Sequence, residues 1–268
     1  MIKLRQLFSV FAVSLGSSFA TAEVSLEGLN PQEQGLRIAQ EIDVRDQGWG
    51  DVSSSLRMEL TNRQGQSSAR TLSIKTLEVP GDGDKSLTLF HEPKDVKGTA
   101  FLSYSHALVP DQQWLYLPAL KRVKRISSSN KSGPFLGSQL SFEDIASFEV
   151  DKYQYELLRE EQWNDEAYYV VKYVPQYKHS GYKYEEVWVN KSEYRIDKTV
   201  YFDRKGALLK TFTISDWDKY LDKYWRAGLF EVVNHQNGKT TKIYWEDYAF
   251  QTGVSDSDFN QNSLKRAK

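Results

Sequence analysis

The chain has 268 residues, with 35 basic and 36 acidic side chains, four histidines, no cysteine and a formal net charge of −1. Near-balanced charge argues against nucleic acid or a uniformly anionic surface as a general partner, and the lack of cysteine excludes disulfides, thiolate metal sites, thiol nucleophiles and a thioether lipid anchor. Aromatic residues make up 13% of the chain, a composition that suits extended strands, where flat rings pack across a pleated face.

Residues 1–22 read as a leader. Lys3 and Arg5 form a cationic start, residues 7–15 a short apolar core, and Ala20-Thr21-Ala22 the small residues that a signal peptidase needs, so cleavage is expected before Glu23. The apolar run is shorter than the roughly 20 residues that span a bilayer. Loss of the leader removes two basic residues and no acidic one, leaving residues 23–268 with a net charge of −3. That length suits one β-rich domain, and the expected product is a soluble periplasmic protein.

A helix is expected from Asn30-Pro31, where an N-cap side chain precedes a proline at the first helical position. Leu36, Ala39, Ile42 and Asp43 follow at helical spacing to about Asp46, and Gly48 ends the run. From Asp51 the period becomes two, giving a strand over 52–60, a turn at Gln64-Gly65-Gln66 and a return strand marked by Leu72, Ile74 and Leu77. Further strands are expected over 85–91, 98–105, 112–117, 122–127, 153–161, 166–174, 182–189, 195–203, 208–215, 229–235 and 241–248. Turns at Pro80-Gly81-Asp82-Gly83, Asp203-Arg204-Lys205-Gly206 and Asn237-Gly238 separate them.

A sequential antiparallel meander of about a dozen strands with one long helix implies a mainly β fold, a large curved sheet that closes as a barrel or wraps a helix as an open half-barrel. Tyr169, Val171 and Tyr173 alternate with Lys172, and Val200 and Phe202 with Tyr201 and Asp203, which offers apolar sets for an interior. A sheet of this size encloses more space than its own side chains fill. The helix at Pro31 is one plug and residues 142–147 another, with room left for an acyl chain.

The most distinctive stretch combines a strand, Trp114-Leu115-Tyr116-Leu117, a Pro118-Ala119 turn, a cationic strand, Lys121-Arg122-Val123-Lys124-Arg125, and a loop, Gly133-Pro134-Phe135-Leu136-Gly137-Ser138-Gln139-Leu140-Ser141-Phe142-Glu143-Asp144. This block resembles the periplasmic outer-membrane lipoprotein-sorting family, the LolA-like proteins, and within it the exporter-associated branch. The resemblance implies an unclosed β-barrel with a helical lid over an apolar cavity, a lipid or lipoprotein as cargo and an inner-membrane RND/MMPL-type transporter as partner. The cavity arginine of the family's founding carrier is matched to no residue by the sequence.

Two features of the block are open to two readings each. Phe135-Leu136, bounded by Gly133 and Gly137, is either a core plug folded under the sheet or a mobile gate over a cavity mouth. Arg122, Lys124 and Arg125 either protect an edge strand from further pairing or form a docking patch for an anionic headgroup or an acidic transporter surface.

No catalytic pattern competes with these readings. The histidines have no ligand spacing, and there is no GxSxG, Walker A or dinucleotide fingerprint. The acidic pairs Glu143-Asp144, Glu185-Glu186 and Glu246-Asp247 are adjacent residues, which a strand points to opposite faces. The expectation is a non-enzymatic protein without a cofactor. It is either a carrier whose acyl-binding cavity is lined or gated by Leu115, Leu117, Phe135, Leu136, Leu140 and Phe142, or a transporter accessory module that holds no lipid and fills its cavity with its own side chains.

Overall fold

The computed structural model describes residues 24–266; the leader expected over residues 1–22 and its cleavage point before Glu23 lie outside the described residues. Helix α1 (Pro31–Arg45) is followed by β1 (Asp51–Thr61), β2 (Ser67–Leu77), β3 (Lys85–Glu92), β4 (Ala100–Tyr104), β5 (Gln112–Leu117) and β6 (Arg122–Ile126). After a long connection come β7 (Tyr153–Trp163), β8 (Glu166–Pro175), β9 (Tyr182–Asn190), β10 (Ile196–Asp203), β11 (Leu208–Tyr220), β12 (Tyr224–Asn234), β13 (Thr240–Phe250) and α2 (Gln261–Arg266).

All 13 strands form one antiparallel sheet in the order β6-β5-β4-β3-β2-β1-β13-β12-β11-β10-β9-β8-β7. The sheet is curved and unclosed, with β6 and β7 as its edges. The expected sequential order holds except at one place: β6 does not pair with β7, and β1 pairs instead with β13, from Val52 opposite Phe250 to Thr61 opposite Thr240. The connection from β6 to β7 therefore has to run from one edge of the sheet to the other, and it does so across the concave face.

That face is apolar and continuous. Leu56 and Met58 of β1, Leu72 of β2, Phe90 of β3, Phe101 of β4, Leu115 of β5, Val232 of β12 and Ile243 of β13 form its central core. Toward the β7 edge, Tyr155, Tyr169, Val171, Tyr173, Val187 and Val189 pack under Ile38 and Ala39 of α1. On the convex side, Ala100, Leu102 and Trp114 are covered by Phe259 and Leu264 from the C-terminal segment, a cover that isolated apolar residues in a polar tail do not advertise.

Helix α1 begins where the sequence places it. The Asn30 side chain accepts from the Gln32 and Glu33 amides, each at 3.0 Å, and Glu33 accepts from the Asn30 amide at 2.9 Å, a reciprocal box that satisfies donors left over at a helix start. Its buried residues are Gly35, Ile38 and Ala39, whereas Leu36, expected on that stripe, is 39% exposed. The cause is Gly35. A Cβ there would lie 2.8 Å from the Glu156 nitrogen and 3.0 Å from the Leu157 nitrogen of β7, so the helix backbone rests on the strand and the contact line passes one residue before Leu36.

Two further departures have local causes. β11 and β12 together extend well past 208–215 and 229–235, because their connection is a tight turn built from Leu221 and Asp222, both at positive φ, rather than from glycine. The polar run 216–223 hides that hairpin. In β10, Lys198 pairs with Trp188 while Ile196 pairs with Val189, a bulge at Asp197 that reverses the alternation. Thr199 and Tyr201 consequently face the interior, while Val200 packs with Tyr168, Val170 and Trp188, and Phe202 stacks on Tyr184. The apolar set of β10 expected inside, Val200 and Phe202, thus belongs to the convex face.

Replacing Gly35 by alanine tests the helix contact with a clear competition of terms. Helix propensity alone would stabilise by about 1 kcal/mol, whereas forcing a methyl into β7 backbone costs about 1–3 kcal/mol. Backbone cannot swing aside, so the expected result is net destabilisation of Gly35→Ala in a urea melt; a gain in stability would mean that α1 does not lie on β7.

Candidate functional site

The interior is occupied by the β6–β7 connection, residues 127–152. Within it, Pro134 bridges to Ser141 and the Phe135 amide donates to the Leu140 carbonyl at 2.7 Å, which closes a compact hairpin-like tip. Phe135 is 4% exposed and Leu140 5%. The Phe135 ring lies edge-on to Phe101 at 5.2 Å and to Phe142 at 5.7 Å, and is tilted against Phe90 at 6.1 Å. Leu136, Phe142 and Ile145 complete the insertion. Leu115 and Leu117 of β5 belong to the same core, while Trp114 and Tyr116 lie on the convex side. All six apolar positions singled out in the sequence therefore meet in one cluster, in which the loop residues Phe135, Leu136, Leu140 and Phe142 pack against Leu115 and Leu117 of β5.

The tip is held by polar contacts. Arg70 of β2 donates to the Leu136 carbonyl, the Gln139 amide donates to Thr241 Oγ1 at 2.9 Å, Lys210 Nζ donates to the Gln139 carbonyl at 3.2 Å, and Asn237 donates to the Gln139 side chain at 3.0 Å. Leu136 sits at φ 47°, a left-handed conformation that costs a branched residue roughly 1–2 kcal/mol. Arg70 is half-buried on the face of Leu72 and Ile74, where alternation in β2 puts it, but its contact with the loop is not legible without the tertiary structure. A strip of half-buried apolar side chains, Phe212, Ile214, Phe230, Trp245 and Tyr248, remains beside the plug on β11 to β13.

Beneath the C-terminal part of the plug is a cavity of about 170 Å³ lined by β7 to β11 and by residues 143–148. Its walls are tyrosines: Tyr153 and Tyr173 with centroids 5.6 Å apart, Tyr153 and Tyr177 at 5.8 Å, Tyr182 and Tyr201 at 4.7 Å. Charged groups sit among them. Asp144 accepts from Lys210, from Tyr182 Oη at 2.6 Å and from the Ser141 amide at 2.6 Å. Glu143 accepts from the Gly181 amide at 2.7 Å and from Tyr177 Oη at 3.2 Å. Asp111 accepts from Lys152 at 2.9 Å and from Lys131 at 3.4 Å. Among the described residues, no group donates to Glu185, which is 7% exposed, and the Tyr173 hydroxyl is buried without a partner.

Burial sets the protonation of these groups. Desolvation, reinforced by Asp144 and Glu143 and opposed by Lys210, holds the Glu185 carboxyl well above the ordinary carboxylate range. Desolvation likewise raises Glu143, and it lowers the Lys131 ammonium. None of this cluster was singled out in the sequence as a site. Glu143-Asp144 and Glu185-Glu186 were noted there only as adjacent acids on opposite faces, and the cavity takes Glu185 from one pair while Glu186 meets Arg159 on the convex side.

Arg122, Lys124 and Arg125 are exposed on the edge strand β6, and none of them is in an ion pair among the described residues. Among the described residues, no three His, Asp or Glu side chains converge as metal ligands and no helix is long and apolar enough to cross a membrane. A larger groove of about 520 Å³ lies on the convex face, where Ser73, Leu89 and His91 meet Asn260 and Ser263; its lining is exposed or half-buried and mostly polar.

The raised Glu185 carboxyl has a signed consequence for stability. Its folded form holds a proton that the unfolded chain gives up, so its contribution is greatest below the ordinary glutamate value and is lost as pH rises toward the folded value. Glu185→Gln removes that loss. The denaturant midpoint of the variant is expected to exceed that of the parent at pH 8, with the gap narrowing toward pH 5; a gap that widens on acidification would reverse the assignment.

Among solved structures, the fold is similar to an outer membrane lipoprotein-sorting protein domain from Vibrio parahaemolyticus, 53% identical, with 88% of this chain and 100% of that chain covered and a TM-score of 0.86. A DUF1329 family protein from Desulfovibrio piger is 31% identical over 88% of this chain and 99% of its own, with a TM-score of 0.82. A LolA superfamily protein from Nitrosomonas europaea, 21% identical over the same 88% and 99%, shares the fold with a TM-score of 0.69. The family model that matches residues 82–266 is described as an uncharacterized protein, and no curated sequence matches the chain. With its open 13-stranded half-barrel and these relatives, the chain belongs to the family of the Vibrio outer membrane lipoprotein-sorting protein domain and the Desulfovibrio DUF1329 protein, and it has the fold of the LolA superfamily.

Proposed function

We propose that this protein is a periplasmic, non-enzymatic carrier that houses the acyl chains of a lipid or lipoprotein inside the half-barrel, and that it works with an inner-membrane RND/MMPL-type exporter. The observation that carries this reading is that a loop, rather than the sheet's own side chains, fills the centre of the concave face. Phe135, Leu136, Leu140 and Phe142 all come from residues 135–142. Withdrawal of that tip opens an apolar hollow continuous with the half-buried Phe230 and Trp245. The description of the Vibrio relative as a lipoprotein-sorting domain supports the same class of cargo.

The magnitudes are compatible with exchange. Burying four large apolar side chains is worth roughly 6–12 kcal/mol at about 1.5–3 kcal/mol each, and an acyl chain of about 12 methylenes at about 0.8 kcal/mol each is worth about 10 kcal/mol. Plug and chain are thus near equivalents, so cargo can displace the plug without a large net cost, and the plug can displace cargo on release. The strained Leu136 lowers the cost of opening, whereas the hydrogen bonds at Arg70 and Gln139, which water can replace at about 0.5–1.5 kcal/mol each, hold the tip closed. The cavity of about 170 Å³ in the closed form is far below the roughly 300–1,000 Å³ of ligand pockets, so loading requires the plug to move. Loading by an energised exporter needs no nucleotide site on the carrier.

The full burial of Phe135 also suits the second reading, an accessory module whose plug stays in place. A lock separates the two. In the double variant Gln139→Cys/Thr241→Cys, made in a chain without native cysteine, oxidation should tether the tip to β13. Uptake of a fluorescent fatty acid is expected to be lost in the oxidised form and restored on reduction. Equal uptake by both forms would remove the plug from the loading path, and no uptake by either would favour the accessory module.

In the carrier reading, Arg122, Lys124 and Arg125 on the exposed edge strand meet the anionic bilayer or an acidic exporter surface, each cation being worth about 1 kcal/mol near an anionic membrane. Reversing all three to Glu is expected to weaken binding to anionic liposomes while leaving the melting temperature nearly unchanged. Undiminished binding would leave these cations as edge protection only.

A further inference from the structure

The tyrosine-walled cavity has one carboxyl group more than it has ammonium groups. Asp111 has Lys131 and Lys152, and Asp144 has Lys210. Glu143 is satisfied by the Gly181 amide and the Tyr177 hydroxyl. Among the described residues Glu185 is left with no donor, although it is only 7% exposed and lines the cavity. Four carboxyl groups therefore face three ammonium groups; among the described residues neither Glu143 nor Glu185 is in an ion pair, and of these two only Glu185 also lacks a hydrogen bond.

The neighbours of Glu185 narrow what would complete it. Pairing across β8, β9 and β10 sets Tyr173 opposite Glu185 and Glu185 opposite Tyr201, so an aromatic ring flanks the carboxyl on each side of the sheet row. The Tyr173 hydroxyl is likewise buried without a partner among the described residues. Aromatic faces beside a carboxylate attract cations, and organic ammonium groups above all, because the ring quadrupole adds to the charge. A metal ion does not fit, since no three ligating side chains converge among the described residues. The volume of about 170 Å³ is near that of an engineered cavity of about 150 Å³ that accepts benzene, so the guest is small.

We propose that this cavity is a binding site for a small organic ammonium group, held by the Glu185 carboxylate within the tyrosine walls, one of which, Tyr201, already lies against the Lys210 ammonium at 4.7 Å. The proposal stands apart from the carrier reading: it requires neither acyl binding nor movement of the plug. The ammonium group has two possible sources, a free amine or the headgroup of an aminophospholipid.

Binding also moves a proton. Glu143 and Asp144 from the plug and Lys210 from β11 face Glu185, and its burial favours the protonated acid in the absence of a cation. An ammonium guest favours the carboxylate, so the proton leaves to solvent as the cation enters, and apparent affinity rises with pH.

Isothermal titration of the full-length mature protein with ethanolamine, and with ethylene glycol as a neutral counterpart of similar size, tests this. The expected result is saturable binding of ethanolamine at one site with little binding of ethylene glycol, tighter at pH 8 than at pH 6, and with a heat at pH 6 that depends on the ionisation enthalpy of the buffer. Glu185→Gln keeps the shape and is expected to weaken ethanolamine by at least about tenfold, the loss that follows removal of a charge-assisted contact. Tyr173→Phe keeps the ring and is expected to cost less. Vesicles doped with a fluorescent phosphatidylethanolamine identify the source: transfer of that lipid, blocked by Glu185→Gln and absent for phosphatidylglycerol, points to a headgroup, and binding of free ethanolamine without such transfer points to a free amine. Equal binding of ethylene glycol, a folded Glu185→Gln protein with unchanged affinity, or no saturable heat at millimolar ethanolamine would each overturn the proposal.

Discussion

The pairing of β1 with β13 is the constraint on which the rest of the molecule depends. Joining the first and last strands in the middle of the sheet puts β6 and β7, neighbours in sequence, at opposite edges. The chain can then connect them only by a long excursion, and because the concave face is the apolar one, the excursion brings apolar residues to it. Filling the half-barrel with its own β6–β7 connection is thus a consequence of topology. A closed barrel with the same strands would have had no such segment and no way to open.

That one segment does two physically different jobs. Its first part, around Phe135 and Leu140, packs like core, with ring contacts in ordinary edge-on geometry. Its second part, from Glu143, carries charge into the interior and finds tyrosine hydroxyls, backbone amides and Lys210 to receive it. Apolar and ionic halves are joined by Ser141, whose amide donates to Asp144 and whose hydroxyl meets Tyr182. The apolar half can exchange for another apolar body at little cost, whereas the ionic half is pinned by partners that a hydrocarbon could not replace.

The buried charges are costly wherever they appear. Asp84, in the turn after β2, is raised to about 7 by burial, with Glu149, Glu78 and Asp46 adding to the effect, and Glu143 and Glu185 are raised as well. A fold that only needed stability would do better with apolar residues of similar volume at these positions. Their presence under the plug concentrates proton-sensitive groups in the part of the interior that a guest would meet.

How much was legible follows from the range of the forces involved. The helix start at Asn30-Pro31, most strand positions, the common face of Leu115 and Leu117 and the family likeness of the 114–145 block rest on local rules: capping geometry, two-residue alternation, turn chemistry and a short motif. Those rules act within a few residues, so one sequence suffices to apply them. The phase of α1 at Leu36, the inverted facing of Val200 and Phe202 and the long β11–β12 hairpin escaped because a backbone contact at Gly35, a bulge at Asp197 and a glycine-free turn at Leu221-Asp222 are set by what lies across the sheet. That Phe135 is buried among Phe90, Phe101 and Phe142, that Arg70 meets Leu136 and where Glu185 sits were decided only by the tertiary structure. Each depends on groups brought together from strands far apart in the chain, Arg70 with Leu136, and Glu185 with Tyr173, Tyr201 and Asp144, and a linear pattern records spacing along the chain but not which distant strands come to share a face.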